Sequence, residues 1–160
     1  MAATDLADLH NFEYHLETAA VTFLNSQTGL TVFRTVTDDT VITPRLEVVA
    51  HVTEALDPPI LRGGGASPST EDYTEHKAIV LVRVVTDNPR GQSDDHAGYV
   101  ANCRVALMLS ASNWDSTTLP YYDLKYLRNT GASREVDGEW NITGLEYELT
   151  FEIRRDAWPS

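Results

Sequence analysis

Cysteine and basic residues are both scarce in this sequence, and each shortage excludes certain classes of protein. The single cysteine, Cys103, cannot form an internal disulfide, and no paired Cys/His spacing is present to hold zinc. Lysine and arginine together number 12, against 24 aspartates and glutamates, so the net charge is -12. Because affinity for nucleic-acid phosphates needs a clustered cationic face, we expect no specific nucleic-acid binding.

Long hydrophobic runs are also missing. The longest aliphatic stretch, residues 78–82, is far too short to cross a bilayer. The first residues lack the basic and apolar regions of a secretion signal, so we expect synthesis in the cytoplasm and no contact with a membrane. The 160 residues, of which 42% are hydrophobic and 22% charged, fit a single globular domain over 1–160.

The N-terminal region carries a helical pattern. Apolar residues recur at steps of three and four from Leu6 to Phe23, which predicts an amphipathic helix with Thr4 as its N-cap. Gly29 can adopt the left-handed conformation that closes helices, so we expect the helix to stop just before it.

Three strands are predicted in the first half of the chain. Residues 30–36 and 45–53 are rich in β-branched side chains, and we expect them to pair as a hairpin. Residues 73–86 offer apolar side chains on both faces, which predicts the central strand of the sheet. Between them, residues 56–72 are rich in glycine and proline and predict a long loop, which in a compact domain is typically functional or disordered.

A second helix and two closing strands are predicted in the second half of the chain. A helix is predicted from Ser93 to about Ser110, followed by strands over 119–127 and 140–153 with a turn at 128–133. In the last strand apolar residues alternate with glutamates, so one face should be core and the other acidic. The whole pattern predicts an α+β fold, with two helices on a mainly antiparallel or mixed sheet, in the order helix, strand, strand, loop, strand, helix, strand, strand.

No chemistry-bearing motif stands out. The histidines are scattered and lack a metal-binding spacing, so we expect them on the surface; they are His10, His15, His51, His76 and His96. Cys103 lies on the predicted apolar face of the second helix, where a thiol behaves as a small hydrophobe. Glycines 63–65 are not followed by the Lys-Ser/Thr of a phosphate-binding loop. We therefore predict no catalytic residue, no metal and no cofactor.

Four segments resemble a family of small phage proteins. They are TPRLEV at 43–48, LPYY at 119–122, LRNTG at 127–131 and FEIRRDAWP at 151–159. Their order and content are similar to those of the tail terminator, or tail-completion, proteins of long-tailed phages. The sequence departs from the family pattern at Asn129, where serine is commoner, and in its long Gly/Pro loop.

The resemblance implies a structural virion protein and no enzymatic reaction. Members of this family form a ring, usually of six copies, that caps the tail tube, stops its growth and offers a surface to the head. The implied partners are other copies of the chain, the tail tube protein and a head-completion or stopper protein, and the implied location is the tail-neck region of the virion. DNA passes through the channel without specific binding, which suits an acidic subunit because carboxylates repel the phosphate backbone.

Two alternatives stay open at this point. Another ring-forming neck component, a stopper or an adaptor, fits the sequence nearly as well. A small ligand-binding domain belongs to a different class and would need a pocket with convergent polar groups.

Six residues are candidates for the ring interface. Ile60, Leu61 and Arg62 place an apolar pair beside a cation in the middle of the long loop, a composition expected of an interface anchor. Arg154, Arg155 and Trp158 lie in the last of the matching segments. For Trp158 the alternative is a cover over the end of the core.

Overall fold

The chain, seen in a computed structural model, folds as helices packed on a five-stranded mixed sheet. The structure describes residues 2–34, 42–56, 75–87, 93–113, 119–138 and 140–159. The helices are α1 (Leu6–Leu9), α2 (Phe12–Thr28) and α3 (Ser93–Asn113), with a short 3-10 helix at Arg155–Ala157. The strands are β1 (Thr31–Phe33), β2 (Arg45–Leu56), β3 (Glu75–Asp87), β4 (Tyr122–Asp137) and β5 (Trp140–Ile153).

The N-terminal helix is broken in two, where the sequence predicted a single helix. Asp5, and not Thr4, caps α1, because its side chain accepts the backbone N–H of Asp8 at 2.8 Å. α2 then runs to Thr28 and ends at Gly29, which has a φ of 69° and donates its N–H to the Asn25 carbonyl. The predicted glycine stop is confirmed, since glycine adopts this left-handed conformation without steric cost.

The sheet order is β1-β2-β3-β5-β4, so the predicted central position of β3 is confirmed. β3 pairs antiparallel with both β2 and β5, and β5 pairs antiparallel with β4. β5 has the bounds predicted for it, and its apolar residues are buried while its glutamates are half-buried on the opposite face. The alternation of period two therefore sets the orientation of this strand correctly.

The predicted β1–β2 hairpin is wrong. β1 pairs parallel to β2, with Thr31 opposite Arg45 and Phe33 opposite Glu47. Strand propensity describes a pleated, half-buried segment and carries no information on direction, so it cannot separate a hairpin from a parallel pair.

The turn predicted at 128–133 is also wrong. β4 continues through this stretch, and the connection to β5 contains Gly138, which has a φ of 57°. The pairing with β5 shifts between Asn129 and Gly131, so the turn-like residues form a bulge at Thr130 within the continuous strand.

Both long helices lie on one face of the sheet, because α2 packs on β1 and β2, α3 packs on β3, and the two helices contact each other. The α+β class predicted from the sequence is confirmed. The core between helices and sheet includes fully buried side chains from every layer: Leu9, Leu16, Leu24, Leu46, Leu107, Tyr122, Leu145, Leu149 and Phe151. Beyond Leu56, the predicted loop and its residues Ile60, Leu61 and Arg62 lie outside the described residues.

Candidate functional site

Three of the sequence-predicted interface residues, Arg154, Arg155 and Trp158, follow β5 at one end of the sheet. Along this end, Leu56 lies opposite Glu75, Glu75 opposite Glu152, and Glu152 opposite Asp123. Leu56 and Glu75 are the two points from which the segment 57–74 leaves the sheet. Glu75, which follows the segment carrying Ile60, Leu61 and Arg62, therefore lies on the strand next to β5, and Leu56, which precedes the segment, lies one strand further away. We call this region the sheet end.

Arg154 anchors the C-terminal segment to the sheet end. Its Nε donates to Asp123 Oδ1 at 2.8 Å and its Nη1 to the Pro120 carbonyl at 3.3 Å, while its backbone N–H donates to the Tyr121 carbonyl at 2.8 Å. The Arg154 side chain is only 15% exposed, so Arg154 positions the segment within its own subunit. Its neighbour Arg155 is exposed and lines a hollow together with Asp123 and Lys125.

Trp158 closes the same end of the core. Its side chain is half-buried and packs edge-on to the ring of His10, with 6.0 Å between ring centroids. Close by, Ala3 donates its backbone N–H to the Ala157 carbonyl at 2.8 Å. The covering role considered for Trp158 is therefore what its contacts show.

The N-terminal turn is bonded to the start of β4. The Tyr121 hydroxyl donates to Asp8 Oδ2 at 2.9 Å, and the Tyr122 hydroxyl donates to the Leu9 carbonyl. The bond from Tyr121 is the main cause that lowers the pKa of the Asp8 carboxyl, and the same bond raises the pKa of the Tyr121 hydroxyl. Burial chiefly raises the pKa of Tyr122.

β4 forms a long open edge of the sheet. Among the described strands, β5 is the one that pairs with it, so the outer backbone groups of β4 face away from the sheet. Between Lys125 and Val136 all side chains are exposed except Leu127, which is half-buried. Tyr126 is 49% and Val136 59% exposed, so the edge also presents apolar surface.

A groove of about 650 Å³ runs between α3 and this strand. Its apolar lining comes from Leu107, Leu124, Leu127 and Tyr147. Arg104 lines it as well, together with the β4 residues Lys125 and Arg128, whose charged ends are paired with Glu152 and Glu148. Burial raises the pKa of the Tyr147 hydroxyl, which lies at the base of the groove. We call β4 together with this groove the β4 surface.

On the opposite side of the sheet, α2 covers the part of β2 that extends beyond β1. Beyond the three residues paired with β1, the N–H of Ala50 donates to Glu17 Oε2 at 2.9 Å, and the N–H of Val52 donates to Glu13 Oε1 at 3.3 Å. Two carboxylates one helical turn apart thus take the place of a neighbouring strand. Covering an edge in this way prevents another chain from pairing with it.

The face of the sheet away from the helices carries carboxylates. Three half-buried glutamates of β5 are each held by a side chain of β4. The pairs are Thr130 with Glu146, Arg128 with Glu148 and Lys125 with Glu152, at 2.9, 3.6 and 3.3 Å.

A buried ionic cluster on the same face was missed in the sequence. Glu47 Oε1 accepts from Arg83 Nη1 at 2.6 Å and its Oε2 from Arg45 Nε at 3.3 Å. The Glu47 side chain is 0% exposed and that of Arg45 5%, and the Arg45 guanidinium lies over the Trp140 ring at 5.7 Å. The sequence signal that could have predicted this cluster is the spacing of Arg45 and Glu47. Because they lie two residues apart on one strand, their opposite charges lie on the same face of the sheet.

Two of the histidines predicted to be on the surface are buried. His76 lies among aromatic rings, 4.4 Å from the centroid of Phe12. His96 is bonded on both sides, to Thr86 Oγ1 at 2.7 Å and to Thr143 Oγ1 at 2.7 Å, and burial lowers its pKa. Isolated histidines carry no sequence signal that separates a bonded core position from an exposed one.

Cys103 lies where the sequence predicted it, fully buried in α3. Burial raises the pKa of its thiol to about 12, so the nucleophilic thiolate is scarce at neutral pH. Within the described ranges, no group of three potential ligands gathers to hold a metal ion, and no described helix is long and apolar enough to cross a membrane.

One solved structure with a similar fold is a chain of the virion of a native gene transfer agent particle. The two share 15% of their residues with a TM-score of 0.50, and the match covers 92% of this chain and 97% of that chain. The likeness lies in the fold and extends over nearly the full length of both chains. No protein-family model matches this chain, and no curated protein matches it in sequence.

Proposed function

We propose that this chain is a structural virion protein of a phage-like particle, and more specifically a tail terminator. Copies of it form a closed ring of six that caps the tail tube, stops its growth and presents a surface for head joining. The observation that supports this most is the fold match to a virion component, which spans nearly all of both chains. The four short segments that resemble tail terminators point in the same direction.

The sheet end supplies one side of the ring contact in this proposal. Arg155 is exposed there, and Arg154 and Trp158 hold the C-terminal segment in place around it. Glu75, which follows the segment carrying Ile60, Leu61 and Arg62, lies opposite Glu152, two residues before Arg154. A contact between two different surfaces, repeated around an axis, closes into a ring.

The acidic composition suits a passive channel. With 24 acidic and 12 basic residues per chain, a ring of copies carries a strongly negative field. Such a field repels the DNA backbone, so DNA can pass without being held. In this role the protein performs no reaction and needs no cofactor.

The test is negative-stain imaging of the purified chain mixed with isolated tail tubes, and separately with portal-containing heads. We expect ring-shaped caps on tube ends, with tube protein and head-completion protein as the two neighbours. Binding only to heads would identify a stopper or adaptor. Binding to neither, together with absence from purified virions, would overturn the structural role.

A further inference from the structure

We propose that the β4 surface is where a second copy of this chain binds. This inference rests on the proposed ring and assigns the second of its two contact surfaces. A head-to-tail ring needs two different patches on every copy. The sheet end is one of them, and the β4 surface has the features of the other.

The first argument is the difference between the two sheet edges. The N–H groups of Ala50 and Val52 on the β2 side are bonded to carboxylates of α2. On the other side β4 spans Tyr122–Asp137, and its outer backbone groups have no neighbour among the described strands. From Gly131 to Asp137 its pairing with β5 is free of bulges, so the outer side of this stretch is a regular ladder that an extended segment can join.

The second argument is charge. Lys125 and Arg128 are already paired with Glu152 and Glu148 on the face away from the helices. Arg104 of α3 and Arg134 of β4 line one hollow between the helix and the strand. In a chain with a net charge of -12, these two arginines offer a cationic spot to an acidic partner. Complementary potentials of this kind favour contact with another copy in a fixed orientation.

The third argument is the match between the groove and the sheet end of a neighbour. The groove offers an apolar lining from Leu107, Leu124 and Leu127. In the sequence, segment 57–74 carries the apolar pair Ile60-Leu61, one cation, Arg62, and three acids, Asp57, Glu71 and Asp72. The apolar pair suits the apolar lining of the groove, and the net negative charge of the segment suits the arginines beside it.

The chain offers a matched pair of positions for the test. Tyr126 on β4 and Tyr14 on α2 are 49% and 46% exposed, and each has an arginine guanidinium near its ring. In solution at low salt, sedimentation velocity should show self-association that Tyr126→Asp weakens by at least about tenfold in Kd. Tyr14→Asp should leave the association unchanged. A chain that remains monomeric, or equal effects of the two changes, would count against the β4 surface.

Photocrosslinking on assembled tubes separates this inference from the proposed function. A benzophenone amino acid replaces Tyr126 in one preparation and Tyr14 in another, and both are mixed with tail tubes. We expect an adduct of two copies of this chain from position 126 alone. Caps whose position 126 crosslinks only to tube protein, or not at all, would overturn the β4 surface while the terminator role stands. If no caps form on the tubes, the terminator role is contradicted. The sedimentation measurement then tests the β4 surface by itself.

Discussion

Glu47 holds two arginines in a buried part of the sheet. Glu47→Gln removes the anion and leaves Arg45, whose side chain is 5% exposed, and Arg83 without their charge partner. Breaking a buried ion pair from one side typically costs about 3 kcal/mol or more. We expect a loss of about that size in the free energy of unfolding, measured by urea denaturation.

The control is Glu148→Gln, which breaks the pair with Arg128 at 3.6 Å, where the arginine side chain is 55% exposed. Exposed pairs contribute about 1 kcal/mol at most. Equal losses for Glu47→Gln and Glu148→Gln would show that burial does not determine how much the ionic cluster contributes to the free energy of unfolding.

His96 gives the protein a stability that depends on pH. Because burial lowers its pKa in the folded state, the unfolded chain binds a proton more readily than the folded one. The contribution of His96 is therefore complete above the ordinary value of 6.5 and is lost as the pH falls below it towards the folded-state pKa.

We expect the unfolding free energy of the wild type to fall more steeply below pH 6.5 than that of His96→Gln, as thermal or urea unfolding across this range would measure. His10→Gln, at an exposed position, is the control and should keep the wild-type profile. Parallel profiles for wild type and His96→Gln would contradict the assignment.

At the scale of elements, α2 buries one face in the core, and the glutamates Glu13 and Glu17 accept hydrogen bonds from backbone N–H groups of β2. Glu17→Ala removes the acceptor of the Ala50 N–H, and leaving a part-buried donor without an acceptor costs about 1 kcal/mol. We expect faster hydrogen exchange at Ala50, measured by NMR. Glu17→Gln keeps an amide oxygen at this position and should exchange nearly as slowly as wild type; if both variants exchange alike, the edge is not closed by this contact.

The elements also show which features of the fold local sequence patterns predict and which they do not. β5 and the Gly29 stop were predicted correctly because alternation and a left-handed glycine act within a few residues. The supposed turn at 128–133 became part of β4, since pairing with β5 outweighs the turn preference of Asn129 and Gly131. The direction of β1 had no local signal at all, because strand propensity is the same for a parallel and an antiparallel partner, and β1 joined β2 in parallel.

At the scale of the whole molecule, the segment that leaves the sheet end should govern assembly and not folding. Deleting residues 58–68 removes Ile60, Leu61 and Arg62 while the described helices and strands keep their contacts. We expect unchanged helix and strand content by circular dichroism, and a loss of caps on tail tubes by negative stain. Replacing the same residues with a Gly/Ser linker of equal length controls for the connection itself; intact caps with either variant would show that the segment takes no part in the ring.

The sequence by itself determined the element order, the central place of β3, the acidic face of β5 and the burial of Cys103, because each follows from periodicity within one segment. Only the tertiary structure decided which surfaces are open. It placed His76 and His96 in the interior, joined Glu47 to Arg83 across two neighbouring strands, and covered the part of β2 beyond β1 with α2. These outcomes depend on register and packing between residues distant along the chain, and no local pattern encodes the distance between two side chains that meet only when the sheet is assembled.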